Sequence, residues 1–285
     1  MGRKKRTEFG NSLIKNMQSY NQYYSILKQL AISSFKWLNI PDTVDPFFLE
    51  NTLFYNGVSV FFFDDVLGYL ALETMISGNF DVYNIPLERR AYATNGYQKN
   101  LDKSDSVLIY NNVVHTNSQL DINLFAERLY NIDRIIDVNV NAQKTPVLII
   151  CDEDELLSME NIYMKYDGNQ PVIYGKKSLC IENIKSINTH AEFVSDKLYE
   201  LKTRIWNEAL TYLGISNVSF VKKERMVTDE VNRSLGGVFS NRASRLLQRK
   251  LACSQINEMF GLDIDVEFND FEQLASDKIG VYANE

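Results

Sequence analysis

The sequence predicts a mostly α fold with small β elements, an α+β protein. Three observations predict it. Apolar residues recur at spacings of three and four over three long stretches, which marks amphipathic helices. Short apolar or alternating runs between them are bounded by Gly, Pro and Asn, which marks strands and turns. The chain has 285 residues, 45% hydrophobic and 24% charged, enough for one large or two small domains with a substantial core.

The first stripe is Leu13, Met17, Tyr20, Tyr24, Leu27 and Ala31. It predicts a helix from Ser12 to Leu38, about 40 Å long at ~1.5 Å per residue. Asn39-Ile40-Pro41 stops it, because the residue before a proline avoids the helical region. Asp45-Pro46 opens a further segment through Phe54. Val58 to Phe63 is too short a run to assign by period. Asp64 to Ile76 reads as a helix closed by Ser77-Gly78-Asn79, and Phe80 to Thr116 as strands and loops, with Val107 to Tyr110 the clearest strand.

Ser118-Gln119-Leu120-Asp121 resembles a capping box with Asp in the usual Glu position. Phe125, Leu129, Ile132, Ile136 and Val140 then carry a second long helix up to Thr145-Pro146, and Val147 to Ile150 reads as a strand. Asp152 to Glu155 place four carboxylates at the start of a short helix, where the dipole favours them. Consecutive residues do not converge on one metal. Asp167-Gly168-Asn169 is a turn and Pro171 to Tyr174 another strand.

Val194, Leu198, Leu201 and Ile205 define a third long helix, stopped by Gly214. From Ser216 to Gly237 no period persists. A structureless stretch of about 20 residues is unusual inside a compact domain and is commonly functional. A last helix carries Ala252, Cys253, Ile256, Met259 and Phe260 on one face, and its first half, Arg242 to Lys250, is basic. Leu262 to Phe268 alternates like a strand.

Several chemistries are excluded. Lys and Arg number 30 against 37 Asp and Glu, a net charge of −7, so the chain is no wholly basic nucleic-acid binder. Cys151, Cys180 and Cys253 are scattered, which argues against a disulfide framework or zinc site and fits a reducing compartment. Only His115 and His190 exist, too few for a His-rich metal centre. No apolar run approaches the ~20 residues of a membrane span. Gly175-Lys176-Lys177-Ser178 resembles the end of a P-loop, but its spacing from Gly168 is wrong. No nucleophile is placed with a base, and no cofactor is expected. Arg3, Lys4, Lys5 and Arg6 put four positive charges at the start, either a solvated tail or an arm that grips phosphates.

A collinear set of segments carries a resemblance. It includes residues 39–41 and 45–50, Ser77 to Asn84, Ile109 to Asn112, Asn141 to Ile149 and Tyr166 to Ile173. Asp196-Lys197-Leu198, Trp206-Asn207-Glu208, Lys222 to Val231, Ala252-Cys253 and Ile256 to Glu258 complete it. In these the chain resembles the upper collar proteins, or head–tail connectors (portals), of small podophages of the Salasmaviridae type.

The resemblance implies a dodecameric ring at one capsid vertex of the virion, assembled in the host cytoplasm, with double-stranded DNA packaged and ejected through its centre. The implied parts are a flexible basic arm (1–11) and a wing from 12–117 and 239–270. Stem helices would span 118–144 and 191–214, a small α/β clip 145–190, a channel loop 215–238 and a tail 271–285. Implied partners are other copies of the chain, DNA, the major capsid and scaffolding proteins, the packaging ATPase, a packaging RNA and the lower collar and tail. No enzyme activity is implied, and the ATPase would be a separate subunit.

By the same resemblance Lys197, Lys222, Lys223 and Arg225 are DNA-channel residues, and Arg3 to Arg6 contact the motor and its RNA. Twelve copies would together carry a charge of about −84, which repels DNA in general and leaves sparse lysine rings to guide it. The rival expectation for Lys197 is an ion pair with Glu200 on its own helix. The family's further lysine before the third helix is Asn188 here, and Arg233, Arg242 and Arg245 follow the Lys-Lys pair where the family is more acidic. The alternative reading is a nucleic-acid-binding adaptor that forms no ring and uses the arm and the basic cluster of 242–250. An enzyme with an acidic site at Asp152 to Glu155 ranks with it.

Overall fold

The structure, a computed structural model, describes residues 3–143, 147–149, 184–186, 192–216 and 228–269. The expected mixture of helix and sheet is present, with a larger sheet than the sequence pattern suggests. The chain divides into two compact units, Met1–Tyr130 with Thr203–Glu285, and Asn131–Lys202.

In the first unit, helix α1 runs Arg3–Ile32. It starts earlier than expected, so residues 3–11, read as an arm, lie within the helix. It also ends earlier than Leu38. Ser33 Oγ donates to Gln29 O at 2.7 Å and Ser34 Oγ to Leu30 O at 2.6 Å, satisfying carbonyls of the last turn. The chain then extends into strand β1, Phe35–Leu38. Helix α2, Pro46–Asn56, has the start its sequence predicts. Asp45 Oδ1 accepts from Phe47 N at 2.9 Å, Pro46 sits at the first turn, and Gly57 at φ 78° closes the helix.

Five antiparallel strands follow: β2 (Val58–Asp64), β3 (Gly68–Phe80), β4 (Pro86–Tyr92), β5 (Gln98–Asp102) and β6 (Ser106–Tyr110), in the order β5-β4-β3-β2-β6. The helix expected from Asp64 to Ile76 is therefore wrong: this stretch forms the turn and most of β3. The reason is burial of both faces. Leu70 and Leu72 pack into the core with Val60 and Phe62, while Tyr69 and Ala71 face the core with Phe61 and Ile109. A strand covered on both sides loses the polar–apolar alternation that would identify it.

Bonds between non-neighbouring strands curl the sheet. Tyr97 OH, beside β5, donates to Asp64 Oδ2 at 2.6 Å, Lys99 Nζ reaches the same oxygen at 3.2 Å, and Arg89 on β4 donates to Ser106 O on β6. Val58, Val60, Phe62, Ala91, Leu101 and Leu108 fill the inside of the curl.

Helix α3 runs Gln119–Ala142 and α4 runs Ser195–Leu213. Helix α5 is Thr228–Phe260 and strand β9 is Asp265–Phe268. The stretch expected to be loop up to Gly237 is thus helical from Thr228 onward. A Cβ at Gly237 would lie 3.3 Å from Thr211 Cγ2, so this glycine lets α5 pass close to α4. Strand β9 pairs antiparallel with β1 from Phe35↔Phe268 to Leu38↔Asp265. Ala252, Cys253 and Ile256 of α5 pack with Phe35, Trp37, Leu49, Leu53, Phe61 and Val107 into the main core.

In the second unit, β7 (Val147–Ile149) pairs antiparallel with β8 (Ile184–Ser186). The parts of α3 and α4 in this unit are joined at Asn139 and Asp133. Asn139 Nδ2 donates to Glu192 O at 2.8 Å, and its Oδ1 accepts from Val194 N at 3.1 Å and Ser195 Oγ at 3.0 Å, which caps α4 from a distance. Lys202 Nζ meets Asp133 Oδ1 at 2.7 Å. The acidic run 152–155, the turn at 167–169, the strand at 171–174, His190, Cys151 and Cys180 lie outside the described residues.

Candidate functional site

Of the basic residues expected to touch nucleic acid, Lys197 lies on the first turn of α4, exposed and without an ion pair among the described residues. The predicted alternative, a bridge to Glu200, is absent there. Two other cations on these helices are engaged: Arg128 Nη1 meets Glu208 Oε2 at 3.2 Å, and Lys202 pairs with Asp133. Arg3 to Arg6 form the start of α1. Lys222, Lys223 and Arg225 lie outside the described residues.

The basic cluster of 242–250 is not a nucleic-acid surface. Arg245 and Arg249 are 4% and 1% exposed. Arg249 Nε and Nη2 hold Glu50 Oε1 and Oε2 at 2.9 and 2.8 Å, and Nη1 donates to Asn111 O and Arg245 O. Trp37 Nε1 shares Glu50 Oε1 at 2.9 Å, and the guanidinium lies 3.9 Å from the centroid of Phe35. Arg245 Nη2 donates to Ser118 Oγ at 3.1 Å and stacks over Tyr212, which in turn donates to Asp121 Oδ2 at 2.7 Å. Burial pulls the Arg245 guanidinium below its usual pKa.

Arg242 donates to Gly214 O at 3.0 Å and lies 4.0 Å from the Phe268 centroid, and Lys250 meets Asp265 Oδ1 at 2.6 Å. The cluster therefore joins α5 to α2, α3, α4, β1 and β9. Of the two surfaces the adaptor reading used, the arm and this cluster, the cluster is largely taken up by the fold. The capping box is corrected in the same place: the Ser118 hydroxyl accepts from Asn111 and Arg245, and Asp121 serves Tyr212.

His115 stacks on Tyr110 with ring centroids 3.6 Å apart, and burial lowers its pKa. Cys253 is buried, and burial pushes its thiol up to about 12, so it is a core residue. Among the described residues no three His, Cys, Asp or Glu side chains converge as metal ligands, and no helix is long and apolar enough to cross a membrane.

The sequence reading missed two features of this geometry. Asn139 carries no local signal of a cap, because the helix it caps begins 56 positions later at Ser195. Arg89 is buried at the wall of a cleft of about 700 Å³ between the curled sheet and α5, and nothing in the strand- and loop-like stretch Phe80 to Thr116 singles it out.

Solved structures with low similarity to the chain include parts of phages and of a related particle. The portal and tail of native bacteriophage P68 is 16% identical with TM-score 0.48, over 92% of this chain and 90% of that one. An HK97 family phage portal protein from Corynebacterium diphtheriae is 12% identical with TM-score 0.46, over 89% and 93%. The neck of a native gene transfer agent particle is 9% identical with TM-score 0.48, over 92% and 84%. The sequence profile of the phage connector (GP10) family matches residues 5–272, nearly the whole chain, and the protein accordingly belongs to the phage connector family.

Proposed function

We propose that this connector assembles as a dodecameric ring at one vertex of a phage capsid, of the Salasmaviridae type, and that double-stranded DNA passes through it during packaging and ejection. Connector proteins are structural parts of the particle and not enzymes. The family match over residues 5–272 carries the reading. In the ring, residues 12–117 and 239–270 of the first unit serve as the wing. The second unit, with its two helix segments and the β7–β8 pair, serves as stem and clip. Capsid and scaffolding proteins meet the wing, and the lower collar and tail replace the motor once packaging ends.

DNA must move without sticking, because each neutralised phosphate adds salt-sensitive affinity. An acidic chain with a few unpaired cations suits that need. Lys197 is exposed and unpaired among the described residues, which supports a place facing the DNA. Lys222, Lys223 and Arg225 are assigned to the channel loop. Arg3 to Arg6 are assigned to the packaging ATPase and its RNA.

Class averages of the purified protein by negative-stain electron microscopy, with mass in solution, test the ring. A ring with a central hole is expected, and a monomer under all assembly conditions overturns the reading. Rings built from Lys197→Ala, or from Lys222→Ala with Lys223→Ala, are expected to package DNA but to retain it poorly. Retention equal to wild type overturns the channel assignment.

A further inference from the structure

The cleft between the curled sheet and α5 holds a cation that no carboxylate bonds, Asp105 acting on it only through its charge. Arg89 is 5% exposed. Its Nη1 donates to Ser106 O and Oγ and its Nη2 to Pro86 O, all neutral acceptors. Its Nε is buried with no hydrogen-bond partner. Arg249 is as deeply buried, but Glu50 neutralises it through two bonds. A buried guanidinium with neither a carboxylate nor all its donors satisfied is costly, and a carboxylate from outside relieves that cost.

The walls around Arg89 define the ligand further. Ile85, Leu251 and Met259 are apolar and part-exposed, at 39%, 48% and 38%. Lys103 adds a second cation, already paired with Asp81 at 3.6 Å. The other ionisable groups lining the cleft are Tyr83, Tyr110 with His115 stacked on it, and Glu258, an exposed carboxylate. The cleft fits a carboxylate set among apolar side chains.

The same chain presents that chemistry at the turn between β2 and β3. Asp65 is exposed and has no partner among the described residues, and Val66 and Leu67 are 89% and 50% exposed. The turn is rigid: Asp64 Oδ1 accepts from Val66 N at 3.0 Å and Leu67 N at 3.1 Å, while Tyr97 and Lys99 hold Oδ2. A tip that is already ordered loses little entropy on docking. A protrusion and a complementary cleft at different places on one chain make a head-to-tail contact, which repeats around a ring when the rotation closes.

We propose that the Asp65–Leu67 turn of one copy inserts into the Arg89 cleft of the next, with the Asp65 carboxylate toward Arg89 and Val66 and Leu67 on the apolar walls. This rests on the ring reading and names one of its contacts.

The test uses charge reversal at exposed positions of the full chain. Asp65→Lys puts a cation on the tip, and Leu251→Glu puts an anion on the cleft wall. Each alone is expected to lower the assembled fraction at least tenfold by native mass and class averaging, with an unchanged thermal melt. The double variant, or a mixture of the two single variants, is expected to restore rings, because the reversed tip then meets a reversed cleft. Met259→Glu places the same charge on the same wall, so a folding defect at one site does not decide the result. Wild-type rings that both single variants still form would overturn this contact alone. A wild-type chain that stays a monomer would overturn the ring itself and the contact with it.

Discussion

Arg249 and Glu50 stand 199 residues apart in the chain and meet as a two-bonded ion pair inside the first unit, their side chains 1% and 4% exposed. Around them Asn111, Trp37 and Phe35 supply a carbonyl, an N–H and a ring face. One helix from the C-terminal half is thereby fixed against β1, α2 and the end of β6. A pair taken this far out of water is no simple gain in stability, since desolvation offsets much of the attraction. Its effect is register: only one placement of α5 brings the guanidinium onto the carboxylate.

Removing one partner therefore costs more than removing both. Glu50→Ala is expected to destabilise the fold by about 3–5 kcal/mol, because it leaves Arg249 charged and buried. Glu50→Gln with Arg249→Met is expected to lose much less. Urea unfolding of wild type, these two variants, and Glu50→Gln and Arg249→Met alone checks this. Losses that simply add would show that the two residues act independently.

The pair also explains what the sequence could and could not disclose. Leu129, Ile132 and Ile205 lie buried on stripes whose period alone identifies α3 and α4. Asp45-Pro46 and Gly57 mark the ends of α2 by local chemistry. Arg242 to Lys250 reads as a basic cluster open to nucleic acid because the Glu50 that neutralises Arg249 lies far away in the chain. Tyr69 to Leu72 reads as helix because both faces of β3 are covered. The stretch up to Gly237 reads as loop, although it is helical from Thr228, because the helix it crosses at Thr211 is invisible in a local window. Each misreading comes from a partner distant in sequence. Of the functional residues, the exposure of Lys197 is visible in the structure, whereas its assignment to DNA comes from the family resemblance.

Cys253 offers a readout of the core these residues enclose. It is buried beside Ala252 and Ile256, and burial, with Asp265 a smaller cause, pushes its thiol up to about 12. The thiolate is the reactive form. In a Cys151→Ser, Cys180→Ser background, an aromatic disulfide reagent at pH 8 is expected to label Cys253 only as fast as the protein unfolds. The rate is then expected to rise with urea in step with the unfolding rate. Labelling at the speed of a free thiol in the absence of urea would show that α5 separates from the sheet without global unfolding.

Asp64 and Tyr97 set the pH response of the curled sheet. The Tyr97 hydroxyl, and then the N–H groups of Val66 and Leu67, hold the Asp64 carboxyl well below the usual carboxylate range. A group whose folded pKa is depressed contributes stability that is present above its unfolded pKa of ~3.9 and is lost as pH falls toward the folded value. Tyr97 runs the opposite way. Burial, and then its bond to Asp64, push it up to about 12. Its contribution is complete below the unfolded value of ~10 and is lost as pH rises through about 12. Asp64→Asn is therefore expected to lower the urea midpoint at pH 7, and the gap to wild type is expected to narrow between pH 5 and pH 3. Tyr97→Phe removes the largest single cause of the Asp64 shift, so its acid loss is expected to be smaller than that of wild type and to end at higher pH. A constant gap for Asp64→Asn from pH 7 to pH 3 would show that the carboxylate charge has no part in holding β5 against β2.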